Sequence, residues 1–136
     1  MNEPEVIQQI LQQAKTIAVV GLSANPDKTS HHVAAFLQSK GYRIIPVNPT
    51  VEGQILGEKV YPSLQAIPEP FDVVDVFRRA EDVPAVVDDA VAAGAKVLWI
   101  QLGIVNEEAA ARAQAAGMTV VMDRCMMAEY KKRWGS

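Results

Sequence analysis

The chain has 136 residues, 49% of them hydrophobic, and a formal net charge of −3, which is material for a single domain over residues 1–136 around one core. Without a Lys/Arg block there is no extended basic face for a nucleic acid, although a small anion needs only a few local donors. The lone Cys125 rules out an intrachain disulfide or a cysteine-built zinc cage and fits a reducing cytoplasm.

The chain opens with "MNEPEVIQQILQQAK", in which Val6, Ile7, Ile10, Leu11 and Ala14 recur at spacings of three and four and predict a helix over about Pro4–Ala14. This acidic, amphipathic start is unlike a signal or transit peptide. No uncharged apolar run in the chain approaches the roughly 18 residues of a membrane span. Thr16–Gly21 is the first of five short runs rich in Val, Ile or Leu that predict buried strands. A helix starting near Thr29 or Ser30 follows it and stops at Gly41. Tyr42–Val47 is the second strand. From Asn48 to Pro70 the pattern fails, since "NPTVEGQILGEKVYPSLQAIPEP" carries prolines and glycines where a crossover helix would stand. A long loop is expected there, with a short helical turn near Ser63–Ile67.

Asp72–Phe77 is the third strand, and a helix over about Ala80–Ala93 ends at Gly94. Lys96–Gln101 is the fourth strand. Asn106 is a suitable N-cap for a helix to Ala116, whose alanines would suit packing on the sheet or on another surface. Met118–Met122 is the fifth strand, and a short helix follows Cys125. Strands alternating with helices point to an α/β fold, a doubly wound five-stranded parallel sheet with helices on both faces. Right-handed crossovers lead to an expected order of 3-2-1-4-5.

Ligands in such sheets bind beyond the carboxyl ends of the strands, where the winding reverses. That rule nominates Gly21–Ser30, Val47–Thr50, Phe77–Arg79, Gln101–Gly103 and Asp123–Cys125. In "GLSANPDKTS", Gly21 allows a sharp turn, and the N–H groups opening the next helix, with Lys28, suit a phosphate or pyrophosphate. The plainer alternative is a strand-closing glycine and a helix cap at Thr29 or Ser30. No G-x-G-x-x-G follows, and a NAD site would also place an acid about 20 residues past the loop, where "IIPVNP" offers Asn48 between prolines. Arg43, a conceivable partner for the 2′-phosphate of NADP, stands at the wrong end of its strand. Phe77 and Arg78 either stack on a base and pair with a phosphate, or pack under a helix and sit solvated.

Catalytic constellations are not found. His31 and His32 are adjacent, about 100° apart on a helix, so they do not form an i, i+4 metal pair. Cys125 precedes a helix whose dipole favours a thiolate, yet a packed residue is the simpler reading. Binding without catalysis is the expectation, and an NAD(H)-dependent oxidoreductase or redox sensor is the alternative.

The segments "VVGLSANPDKTSHHVAAFL", "GYRIIPVNP", "GEKVYPSL", "DVVDVFRRAEDV", "GAKVLWIQLGI" and "VVMDRCMMAEY" together resemble the small CoA-binding proteins of bacteria. These are single Rossmann-like domains similar to the N-terminal CoA-binding domain of the succinyl-CoA synthetase α subunit. The resemblance spans about Thr16–Tyr130. It implies coenzyme A, or an acyl-CoA, as ligand, with its pyrophosphate on the loop from Gly21 near Ser23, Ala24, Lys28 and Ser30. It further implies that Val47, Asn48 and Pro49 flank the nucleotide and that Phe77 and Arg78 border the adenine side. The phosphorylated-histidine region of the synthetase has no match, so ligase activity is not carried over.

Overall fold

The computed structural model describes residues 1–136. Each predicted strand forms, trimmed by one or two residues: β1 Thr16–Val20, β2 Arg43–Val47, β5 Val73–Val76, β6 Val97–Ile100 and β7 Thr119–Met122, all parallel in one sheet. Five α-helices accompany them: α1 Pro4–Gln13, α2 Thr29–Ser39, α3 Val83–Ala92, α4 Glu107–Ala115 and α5 Met126–Trp134. The helix expected from Ala80 opens instead with a 3-10 turn, Ala80–Asp82. Pro84 lies in the first turn of α3, where its missing N–H costs no hydrogen bond.

Residues 48–70 form a long connection that holds a 3-10 turn at Leu64–Ala66, inside the expected stretch, and a hairpin that was not expected, β3 Gln54–Ile55 with β4 Glu58–Lys59. The hairpin turns through Leu56 (φ 55°) and Gly57 (φ 77°), positive φ at both central positions, as a type I′ turn requires. Gln38 holds its tip by donating from Nε2 to the Leu56 carbonyl (2.9 Å).

The strand order is β2-β1-β5-β6-β7. Counting the five long strands alone this is 2-1-3-4-5, which corrects the expected 3-2-1-4-5. Pro46 supplies a physical reason. It pairs with Val19 of β1, while its carbonyl turns outward to accept Tyr61 N–H (3.0 Å). Its nitrogen has no proton to offer a further strand on that side, so β2 suits an edge and not the interior. The run at β5, buried in all four residues, takes the doubly covered position beside β1. The open side of β2 is shielded by the bridge between Val47 and Tyr61.

Both faces are covered. On one, α1, α2 and α5 pack over Ile17, Val19, Val73, Trp99 and Val121. On the other, α3, α4 and the 3-10 turn at Leu64 pack over Ala18, Val74, Val76, Leu98 and Ile100. Ala109, Ala110 and Ala113 of α4 are fully buried against the chain's own sheet. The winding therefore reverses between β1 and β5, one position from where the sequence had put it.

Candidate functional site at the carboxyl ends of the strands

The register places Val47, Val20, Val76, Ile100 and Met122 in one row. The next residues, Asn48, Gly21, Phe77, Gln101 and Asp123, form the rim. Gly21 occupies its centre with φ 86°, and a Cβ there would stand 2.2 Å from the Phe77 carbonyl oxygen and 3.1 Å from Arg78 Cδ. Only glycine fits: the backbone is in the left-handed region and the neighbouring strand end leaves no room. Gly21 N–H donates to the Val47 carbonyl (2.8 Å), and Phe77 N–H donates to Val20 (2.8 Å). Three strand ends meet at this residue.

The loop beyond Gly21 is tied by its own polar side chains. Leu22 is fully buried beneath it. Ser23 N–H donates to Ser30 Oγ (3.0 Å), Asn25 N–H to Ser23 Oγ (3.0 Å) and Asp27 N–H to Asn25 Oδ1 (3.0 Å). Asn48 reaches across from β2, donating from Nδ2 to the Leu22 carbonyl (3.0 Å) while its Oδ1 accepts from the N–H and hydroxyl of Thr50.

The N-cap of α2 is Lys28, not Thr29 or Ser30, and no side chain caps the helix. Ser30 turns back to Ser23 instead. His32 is the first helical residue whose N–H finds a carbonyl, that of Lys28, so the N–H groups of Thr29, Ser30 and His31 have no acceptor within the chain. These orphan donors lie at the positive end of an 11-residue helix. Lys28 is exposed beside them and takes part in no salt bridge.

The residues singled out from sequence divide into three groups. Gly21, Ser23, Ser30, Asn48 and Arg78 converge on the turn, with the stem of Arg78 lying over Gly21. Its side chain is 39% exposed, with the guanidinium 3.6 Å from Asp82, a carboxylate that Arg79 approaches more closely (3.2 Å). Ala24, Lys28 and Pro49 are exposed around it. Val47 is buried and reaches the turn through its carbonyl, and half-buried Phe77 packs into the cluster under α2 and α5.

Sequence reasoning passed over Asp75. This residue, midway along β5, is fully buried; Gln101 Nε2 donates to its Oδ1 (2.6 Å) and its Oδ2 has no partner. Burial pushes its pKa up to about 7, against the smaller opposing effect of the Gln101 hydrogen bond. An acid inside "VVDV" was the available signal. Further along, Asp123 (φ 62°) accepts Gly103 N–H at Oδ1 (2.7 Å). Cys125 is half-buried at the N-cap of α5, against the α1/α2/α5 cluster. No three His, Cys, Asp or Glu side chains gather as a metal site, and no helix is long and apolar enough to cross a membrane.

Residues 15–131 match the model of the CoA binding domain. The uncharacterized protein YneT of Bacillus subtilis is 50% identical over 120 residues, 88% of each chain. A hypothetical protein from Pyrococcus horikoshii has a solved structure that superposes with a TM-score of 0.93 at 40% identity, over 98% of this chain and 93% of that one. The ADP-forming acetate–CoA ligase I α subunit of Pyrococcus furiosus is 36% identical over 93 residues, 63% of this chain and only 20% of the ligase subunit.

Proposed function

The chain belongs to the CoA binding domain family, and from that membership we propose that it binds coenzyme A, or an acyl thioester of it, as a binding protein without catalysis of its own. The observation that carries this reading is the cradle formed by Gly21 and the start of α2: a turn with no room for a Cβ, tied through Ser23 and Ser30 to a helix start whose first three N–H groups have no acceptor in the chain. A pyrophosphate supplies the missing acceptors and meets the positive helix end. Lys28 and Arg78 add charge on either side, the guanidinium offering a planar fork to phosphate oxygens.

The rim of β2 argues for CoA over a nicotinamide dinucleotide. A NAD ribose is held there by a carboxylate, whereas Asn48 is already engaged with Leu22 and Thr50. No polar set built for a reaction adjoins the cradle: the serine oxygens accept backbone N–H groups, and the nearest buried acid, Asp75, lies under the rim in the sheet. The ligase relatives span several times this chain's length, and their activity is not proposed for it.

Calorimetric titration with CoA, dephospho-CoA and NAD tests the proposal. CoA is expected to bind at micromolar concentration or tighter and NAD to give no resolvable heat. Tight NAD binding with a silent CoA titration would overturn it in favour of the oxidoreductase or redox-sensor reading.

A further inference from the structure

Beyond Gln101 the rim changes character. Leu102 is 66% exposed and Val105 47% exposed, the two most exposed large apolar side chains of the molecule. They share one loop, with half-buried Ile104 between them. This loop is braced. Gly103 (φ 85°) donates to Asp123 Oδ1 (2.7 Å), Ile104 N–H closes a turn on the Gln101 carbonyl (3.1 Å), and Asn106 fastens the far end through Nδ2 to the Ala80 carbonyl (3.0 Å) while capping α4. Its apolar side chains are therefore held out to solvent by a fixed backbone and not by a floppy tip. Leu102 and Val105, three residues apart on this braced segment, place apolar surface at the rim.

Charge and distance suggest what that surface meets. The cationic side chains Lys28 and Arg78 stand on the β1–β5 side of the rim, whereas Glu107 and Glu108 are exposed in the first turn of α4, next to the apolar loop. The two carboxylates disfavour a phosphate at the α4 end, where the neighbouring Arg124 donates to the Asp123 carbonyl, and the loop surface between them suits a neutral, apolar group. Gly21 and Gln101 are two strands apart in the same row, roughly 10 Å at the usual strand spacing. A pantetheine arm, comparable in length to about four extended residues, spans roughly 13–14 Å. Starting from a pyrophosphate on the Gly21 turn, it delivers its sulfur, and whatever the sulfur carries, to Leu102 and Val105.

We infer that Leu102 and Val105 form the seat of an apolar acyl chain, so that the ligand class of this protein is acyl-CoA with a chain of several methylenes. The inference rests on the CoA reading above and adds to it an orientation along the rim and a preference for the loaded thioester over free CoA.

The test compares titrations of CoA, acetyl-CoA and octanoyl-CoA on the native chain and on the double variant L102S/V105S, with thermal unfolding to verify that the variant is folded. Both positions are exposed, so the variant is expected to unfold within a few degrees of the native chain. A fully buried methylene is worth a factor of about four in affinity, and even partial burial of several gives roughly a tenfold gain or more for octanoyl-CoA over CoA. The double variant is expected to lose that gain while keeping its affinity for CoA. Equal binding of CoA and octanoyl-CoA to the native chain overturns the acyl seat and leaves the CoA reading standing. A gain that survives in the double variant places the acyl chain elsewhere and likewise overturns the inference. Failure of CoA and both thioesters to bind overturns the CoA reading itself.

Discussion

The two ends of the sheet make opposite use of the same kind of sequence. At the amino ends lies a cleft of about 820 Å³ between α1, the 3-10 turn at Leu64 and the turn before β6. Polar groups around that end are largely satisfied. Asp72 Oδ2 accepts from Lys15 and Thr16 N–H (2.8 and 2.9 Å), Arg43 pairs with Glu58 and Glu69, and the Tyr42 hydroxyl donates to the Leu11 carbonyl. At the carboxyl ends the three N–H groups opening α2 lack acceptors, as do those opening α5, Lys28 lacks a salt-bridge partner, and Asp123 is a non-glycine rim residue at positive φ. Volume marks where the chain failed to fill space; unsatisfied donors mark where something else completes the structure.

The comparison breaks most visibly at two glycines of similar φ. Gly21 (86°) is crowded by backbone, whereas Gly94 (75°), at the amino end after α3, has open space for 4 Å around the place a Cβ would take. Gly21→Ala is expected to cost at least about 4 kcal/mol, since the left-handed strain is joined by a clash with the Phe77 carbonyl that neither strand end can relieve. It should also abolish CoA binding. Gly94→Ala carries the conformational term alone, about 1 kcal/mol, with CoA affinity unchanged. Thermal unfolding and titration of both variants check this. Equal losses at the two positions would remove the special standing of the Gly21 turn.

A second contrast concerns the buried carboxyl under the rim. The folded-state pKa of Asp75, about 7, stands above its ordinary 3.8. Between those values the folded chain keeps a proton that the unfolded chain releases, so this group's contribution to stability is full below about pH 4 and declines as pH rises. Above about pH 7 it is lost and the dependence levels off. Asp75→Asn removes the slope and stabilises the protein at pH 8 by about 2 kcal/mol, less than the full linkage value because the new amide still lacks an acceptor. Denaturant unfolding from pH 4 to 8 reads the effect, and an unchanged slope in the variant assigns the titration elsewhere.

How far the sequence reached follows the same physical lines. Strands came through as short runs of Val, Ile and Leu because each is buried on both faces, and Asn106 was legible as a cap because its side chain does the capping. The strand order was misread although its signal was present: Pro46 lacks the proton that an interior strand must donate. Lys28 as the N-cap of α2 was not readable, because propensity favours Thr29 or Ser30 and only the loop's closure on Ser30 Oγ overrides it. The β3–β4 hairpin hid behind Leu56, a residue rarely found at positive φ. That Gly21, Ser23, Ser30, Asn48 and Arg78 lie together was legible because one chain segment or one strand end carries each; that they hold a ligand is the proposal made above. The Asp75–Gln101 pair joins residues 26 apart in sequence, and its meaning emerges only once β5 lies beside β6.

The smallest effect gives the sharpest test of which end meets the ligand. Lys28 at the α2 N-terminus and Lys96 beside the amino-end cleft are both exposed, and neither is in a salt bridge. Replacing either with alanine should leave stability within about 0.5 kcal/mol. Against an anionic ligand they differ. An exposed lysine near a pyrophosphate contributes roughly 0.5–1 kcal/mol at low ionic strength, so Lys28→Ala should weaken CoA about two- to fivefold. That deficit should shrink as salt shortens the Debye length from about 30 Å at 0.01 M to about 8 Å at 0.15 M. Lys96→Ala, at the far end of the sheet, should change nothing at physiological salt. If the two variants instead weaken CoA alike and lose the difference together with salt, the ligand is sensing net charge alone, and the cradle at Gly21 is not where its phosphates rest.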